Sequence, residues 1–104
     1  MRSFILVTGG REEALQPAIE SGADLVCVDM DDTVEDKAAA FALARKFTSS
    51  PAACRRGIRT GPVRSPQGLR DLLAVADGDL KPDFVCLPQV EHPADLEIYA
   101  AVLP

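Results

Sequence analysis

Four short apolar runs, Phe4 to Thr8, Asp24 to Val28, Arg56 to Thr60 and Asp83 to Leu87, recur along the chain with helically spaced segments between them. They are near-continuous rather than alternating and rich in Val, Ile, Leu and Cys, as strands covered on both faces of a parallel sheet are. The third is the weakest, with only Gly57 and Ile58 at its centre. Within Arg11 to Ser21, Ala14, Leu15, Ala18 and Ile19 keep helical spacing around Pro17 and stop at Gly22, a candidate C′ glycine. A second helix is expected from Glu35 to Phe47, with Thr33 and Asp36 as a capping box and Ala40, Ala44 and Phe47 on one face. A third has Ser65 as N-cap, Pro66 at N1 and Leu69, Leu72, Leu73 and Ala76 behind them, fading at Asp77-Gly78. A fourth opens at His92-Pro93 and carries Leu96, Tyr99, Ala100 and Leu103. The order is βαβαβαβα.

That order predicts an α/β fold with right-handed crossovers and a parallel sheet. The strands start near residues 4, 24, 56 and 83, so 20, 32 and 27 residues apart. A (β/α)₈ barrel of ~250 residues spends about 31 on each unit, and this chain supplies half of one. A complete small open sheet fits the same pattern, and composition does not separate the two.

With 104 residues, one modest domain is the ceiling. No apolar run approaches the ~20 residues of a membrane helix. Arg2 precedes an apolar stretch too short for a signal peptide, so a cytoplasmic location is expected. Sixteen acidic against eleven basic residues, the latter scattered except at Arg55-Arg56, argue against nucleic acid as a partner. Cys27, Cys54 and Cys86 are odd in number and widely spaced, which suits reduced thiols better than disulfides or zinc.

In parallel architectures, chemistry collects at the C-terminal strand ends. Those ends are Thr8-Gly9-Gly10, Asp29-Met30-Asp31-Asp32, Arg59-Thr60-Gly61 and Pro88-Gln89-Val90-Glu91. Three aspartates within four residues repel one another unless a cation or a basic side chain compensates them, and magnesium suits hard oxygen ligands. Equally, Asp32 or Thr33 can cap the next helix while the other carboxylates are solvated or bonded to turn amides. Arg59, ending an apolar strand, is formed to grip a substrate carboxylate bidentately or to pair with one of those aspartates.

Gly9-Gly10 lacks the further residues of a phosphate or dinucleotide loop. His92, before Pro93, reads as a cap or surface residue, and no Gly-x-Ser-x-Gly is present. Asp29-Met30-Asp31-Asp32-Thr33-Val34 also fits the Asp-x-Asp-x-Thr-Val signature of haloacid dehalogenase-like phosphatases, with Asp29 as nucleophile and Asp31 as general acid. That family usually carries the signature on its first strand, and its later motifs have no clear place here.

Six blocks in order resemble the HpcH/HpaI aldolase and citrate lyase β-subunit family. They are Arg2-Ser3 before the first strand; Ser21-Gly22-Ala23-Asp24; Asp29 to Val34 with Lys37 and Ala44-Arg45; Arg59; Ser65-Pro66-Gln67-Gly68-Leu69-Arg70-Asp71-Leu72; and Leu87-Pro88-Gln89-Val90-Glu91. Asp31 stands where the family has Glu, Gln89 where it has Lys, and Thr60-Gly61 where an apolar residue and Asn are common. The resemblance implies a TIM barrel of the phosphoenolpyruvate/pyruvate-domain type, of which residues 1–104 are a single partial domain, its first four βα units, with the C-terminal half absent. It further implies magnesium-assisted cleavage of carbon–carbon bonds in hydroxy acids or acyl-CoA thioesters through an enolate. Arg59, Asp31 and Asp32 are then the catalytic candidates, and Arg59, Gly9 and Gln89 the substrate-binding ones. No direct metal ligand is expected in this chain; Asp29, Asp31 and Asp32 are candidates for the groups behind the ligands. The implied partners are a small carboxylate or acyl-CoA substrate, and a second copy or a C-terminal half. A chain lacking the metal ligands is expected to be inactive by itself. Different in class is a non-catalytic half-barrel that self-associates or pairs with another chain through its strand edges. A half-barrel is expected to leave interior-facing residues uncovered, with Ile5, Val7, Leu25 and Cys27 or their neighbours as candidates.

Overall fold

A computed structural model of the chain describes residues 3–9, 11–30, 37–50, 53–88, 90 and 92–103. Strands β1 (Phe4–Thr8), β2 (Leu25–Asp29), β3 (Arg55–Arg59) and β4 (Phe84–Cys86) alternate with helices α1 (Glu12–Glu20), α2 (Lys37–Ser49), α3 (Pro66–Ala76) and α4 (Pro93–Val102). The strands lie side by side in the order β1-β2-β3-β4, all parallel. Sequential order decides between the two architectures left open by the sequence. Successive right-handed crossovers that always step in one direction place every helix on the same side of the sheet, as in a barrel wall.

The register identifies the two faces. Phe4 pairs with Leu25 and Leu6 with Cys27, and Cys27 pairs in turn with Gly57. The intervening residues Val7, Val26, Val28 and Ile58 form the core with Leu15 and Ala18 of α1, Leu43, Ala44 and Phe47 of α2 and Ala74 and Val75 of α3. Ile5 packs against that core, so the expectation for Ile5 and Val7 is corrected: they face the helices. Strand alternation instead turns Phe4 and Leu6 to the opposite face, where they are 44% and 39% exposed. Cys27 is on that face yet fully buried. Part of the cover is visible one strand over, where the Phe84 ring lies across Gly57 in the space a Cβ would take.

The helix ends follow their sequence signals. Ser65 Oγ accepts the Gly68 N–H at 3.0 Å and donates to the Pro62 carbonyl at 2.8 Å, with Pro66 at the first helical position. Pro17 sits inside α1 without ending it. Gly22 and Gly78 both adopt φ of +81°, the left-handed conformation that favours glycine after a helix. His92 occupies the N-cap position of α4, but its side chain makes no capping bond. The proposed Thr33–Asp36 capping box lies outside the described residues. Arg45, from the Ala-Arg pair of the sequence pattern, clamps the Asp79 carboxylate with Nε at 3.0 Å and Nη2 at 2.9 Å, tying α2 to the turn before β4. No helix among the described residues is long and apolar enough to cross a membrane.

Candidate active site

Parallel pairing aligns the strand ends into one row, Thr8, Asp29, Arg59 and Cys86, on the face away from the core. Backbone bonds extend the row toward the rim: Gly9 N–H donates to the Asp29 carbonyl at 2.9 Å and Met30 N–H to the Arg59 carbonyl at 2.8 Å. A side chain at Gly9 would collide with that Asp29 carbonyl and come within 2.6 Å of the Ala40 Cβ, so close packing accounts for the glycine.

At the centre of the row, Arg59 and Asp29 form a fork-to-fork pair. Nε donates to Oδ1 at 3.0 Å and Nη2 to Oδ2 at 2.6 Å. Asp29 is 6% exposed, whereas the Arg59 side chain keeps about a third of its surface in solvent. Of the two readings left open for Arg59, the ion pair is thus present. It also fixes the plane of the guanidinium at the rim.

The loop after β3 rests on a carboxylate whose role the sequence reading did not identify. Asp71, on the core stripe of α3 with Gly68, Leu72 and Val75, is completely buried. It accepts the Gly61 N–H at 3.0 Å and the Gln67 side-chain amide at 2.9 Å. Burial pushes its pKa up, opposed by those two bonds and by the Lys37 charge. Lys37, from the same sequence block as Asp29, therefore acts across the rim on Asp71. The available signal was an acid on an apolar helical stripe, a position that demands partners. Farther round, Arg64 Nε donates to the buried Asp95 at 2.9 Å, joining this loop to α4. Tyr99 of α4 is buried beside Thr60 and Val63, and burial raises its pKa.

The raised value of Asp71 has a defined pH signature. A carboxyl raised above its unfolded value favours folding fully below that unfolded value, near 3.8, and loses this contribution as pH rises through the folded one. Asp71→Asn keeps an acceptor for Gly61 and cannot ionise. Its stability relative to the unsubstituted chain is expected to climb as pH rises above the unfolded value near 3.8 and to level off once pH passes the raised folded value, read from urea midpoints. A flat or falling difference would contradict the assignment.

Asp31, Asp32 and Gln89 lie outside the described residues. Cys27, Cys54 and Cys86 are free thiols, the first two buried, and burial with Cys86 nearby pushes the Cys27 thiol up, as suits core packing more than reactivity. Among the described residues no three His, Cys, Asp or Glu side chains converge on a common point suited to a metal ion.

A singly wound parallel sheet with all helices on one side and an arginine–carboxylate pair on its C-terminal rim defines half of an α/β barrel. The chain belongs to the HpcH/HpaI aldolase/citrate lyase family, whose model matches residues 2–103. It is similar to (3S)-malyl-CoA thioesterases of Cereibacter sphaeroides strains ATCC 17029 and KD131, each 32% identical over 107 residues, covering 99% of this chain and 37% of the relative. The chain thus spans little more than a third of the length of these curated relatives. Membership in this family displaces the phosphatase reading, as does the placement of Asp29: it is on the second strand, buried, and bound through both oxygens to Arg59.

Proposed function

We propose that this rim binds the carboxylate end of a hydroxy acid or its CoA thioester and serves cleavage of the acyl chain, with Arg59 as the anion-binding group. The observation that carries the reading is the Arg59 guanidinium, aimed by Asp29 and still a third exposed. In carbon–carbon cleavage the breaking bond leaves its electron pair on an enolate, and a fixed guanidinium stabilises the charge that gathers on oxygen. In thioester hydrolysis, the reaction in the relatives' name, the charge develops on the thioester oxygen and calls for the same group. A substrate carboxylate reaching the rim meets a guanidinium that needs little reorganisation, because Asp29 already fixes its plane.

Magnesium would supply Lewis-acid polarisation of the carbonyl. The described residues do not fit it by themselves, since Asp29 commits both oxygens to Arg59 and no three-ligand group is present among them.

Calorimetric titration of the chain with two CoA thioesters, one ending in a carboxylate and one in a methyl group, tests the reading. The carboxylate is expected to tighten binding at least about tenfold, the scale of a charge-assisted bond of ~1.5–3 kcal/mol. Arg59→Gln is expected to erase the difference. Equal affinities in the unsubstituted chain would overturn the proposal.

A further inference from the structure

Two ion pairs among the described residues differ from the others. In Arg11–Glu13, Arg45–Asp79, Lys46–Glu12 and Arg56–Asp83 the acid keeps between 39% and 70% of its side chain in solvent, as in surface pairs that contribute little. Asp29 and Asp95 keep only 8%, and each holds an arginine that remains partly in solvent, Arg59 at 33% and Arg64 at 58%. Burying a carboxylate is costly, and what it secures here is an arginine held in one place. Both arginines belong to one short stretch, from the end of β3 to the residue before the Ser65 cap. β3 is an inner strand, so this stretch lies away from both outer strands.

Arg64 donates through Nε alone, to Asp95 Oδ1 at 2.9 Å, and among the described residues its two Nη groups make no hydrogen bond. That leaves the end of the guanidinium, Nη1 with Nη2, for the two-point grip of a phosphate. The local field agrees. Arg64 directly precedes the N-cap of α3, whose first turn holds no acid to offset the positive end of the helix dipole. Position separates the two arginines: Arg59 stands in the row of strand ends on the face away from the helices. The turn closed by the Ser65 N–H on the Pro62 carbonyl at 2.9 Å instead carries Arg64 outward to α4, in the helix layer.

We propose that Arg64 is a phosphate contact of the substrate, so that the rim takes a CoA thioester and not the free hydroxy acid, an inference that rests on Arg59 as the carboxylate site. Two carboxylates of a short hydroxy acid are too close together to occupy the strand row and the helix layer at once. A CoA thioester carries its acyl carboxylate at one end and its phosphates at the other, with the pantetheine arm between them. The path for that arm is low, since Thr60, Gly61 and Val63 are buried and Pro62 is half-buried, leaving no fully exposed side chain before Arg64.

Calorimetric titration of the full chain compares a carboxylate-bearing CoA thioester with the same acyl group on pantetheine, which has no phosphate. Arg64→Gln is expected to weaken binding of the CoA form at least about tenfold and to leave the pantetheine form within about twofold. Arg59→Gln is expected to weaken both forms alike. An affinity for the CoA form untouched by Arg64→Gln, or equal losses for the two forms, would overturn the assignment of Arg64 and leave the carboxylate reading intact. An Arg64→Gln loss confined to the CoA form, with Arg59→Gln affecting neither, would remove the carboxylate reading and uphold the phosphate contact. Should Arg64→Gln fail to fold, phenylglyoxal labelling of the unsubstituted chain, read by mass spectrometry, follows the same contact. The CoA form is expected to protect Arg64 and the pantetheine form to leave it reactive; no protection, or equal protection by both, would overturn the proposal.

Discussion

Gly68→Ala is expected to cost about 3–4 kcal/mol and to lower the melting temperature by about 15–25 °C, a large share of the ~5–15 kcal/mol that holds such a domain together. The cause is local and entirely backbone. A Cβ at position 68 would overlap the Pro62 carbonyl oxygen, lying 2.5 Å from its carbon and 2.7 Å from the Gly61 oxygen. No rotamer relieves a contact with main-chain atoms, so the Gly61–Pro62 segment must move away from α3. That motion strains the Ser65 cap and the bond from Gly61 to Asp71 together. Gly22→Ala meets nothing within 4 Å and suffers only from its left-handed φ, so the smaller cost there, about 1 kcal/mol, calibrates the comparison. Similar losses at the two positions would refute the close-approach explanation.

Arg59→Ala is expected to destabilise the chain by about 3 kcal/mol because it removes two charge-assisted bonds from the buried Asp29 carboxylate, the lower end of the usual range reflecting the partial exposure of the arginine. Replacing both partners, Asp29→Leu with Arg59→Met, is expected to restore most of that loss, since the buried carboxylate is removed together with the guanidinium bound to it. Urea unfolding of the single and double variants closes the cycle. If the double variant loses the sum of the singles, the pair is not acting as a buried unit.

These two predictions mark where sequence and structure part company. The strand–helix alternation was legible because each apolar run and each cap is a local signal: Ser65-Pro66 starts α3 as read, and Gly22 closes α1 by its φ. The strand order left no trace in the local periodicity, because stepping always to the same side is a property of the packed sheet; it followed from the family resemblance, whose half-barrel the sheet bears out. The face assignment of β1 failed for a related reason. Four apolar residues in succession, Phe4 to Val7, carry no alternation from which to tell Ile5 and Val7 from Phe4 and Leu6. At the rim, the importance of Arg59 followed from its place at a strand end, but its partner required the register that sets Asp29 beside it. Asp71 passed as one letter of a recurring block, since its burial depends on how α3 rolls against the loop after β3.

On the proposed function, the C-terminal end of the sheet binds substrate through Arg59. β3 supplies its own control, because Arg55 and Arg59 lie on the same face four residues apart, at opposite ends of one strand. Titrating the carboxylate-bearing CoA thioester into Arg55→Gln and Arg59→Gln compares the two ends with charge change held equal. Affinity is expected to stay within about twofold of the unsubstituted chain for Arg55→Gln and to fall at least about tenfold for Arg59→Gln. Equal losses in both, or a loss confined to Arg55→Gln, would contradict it.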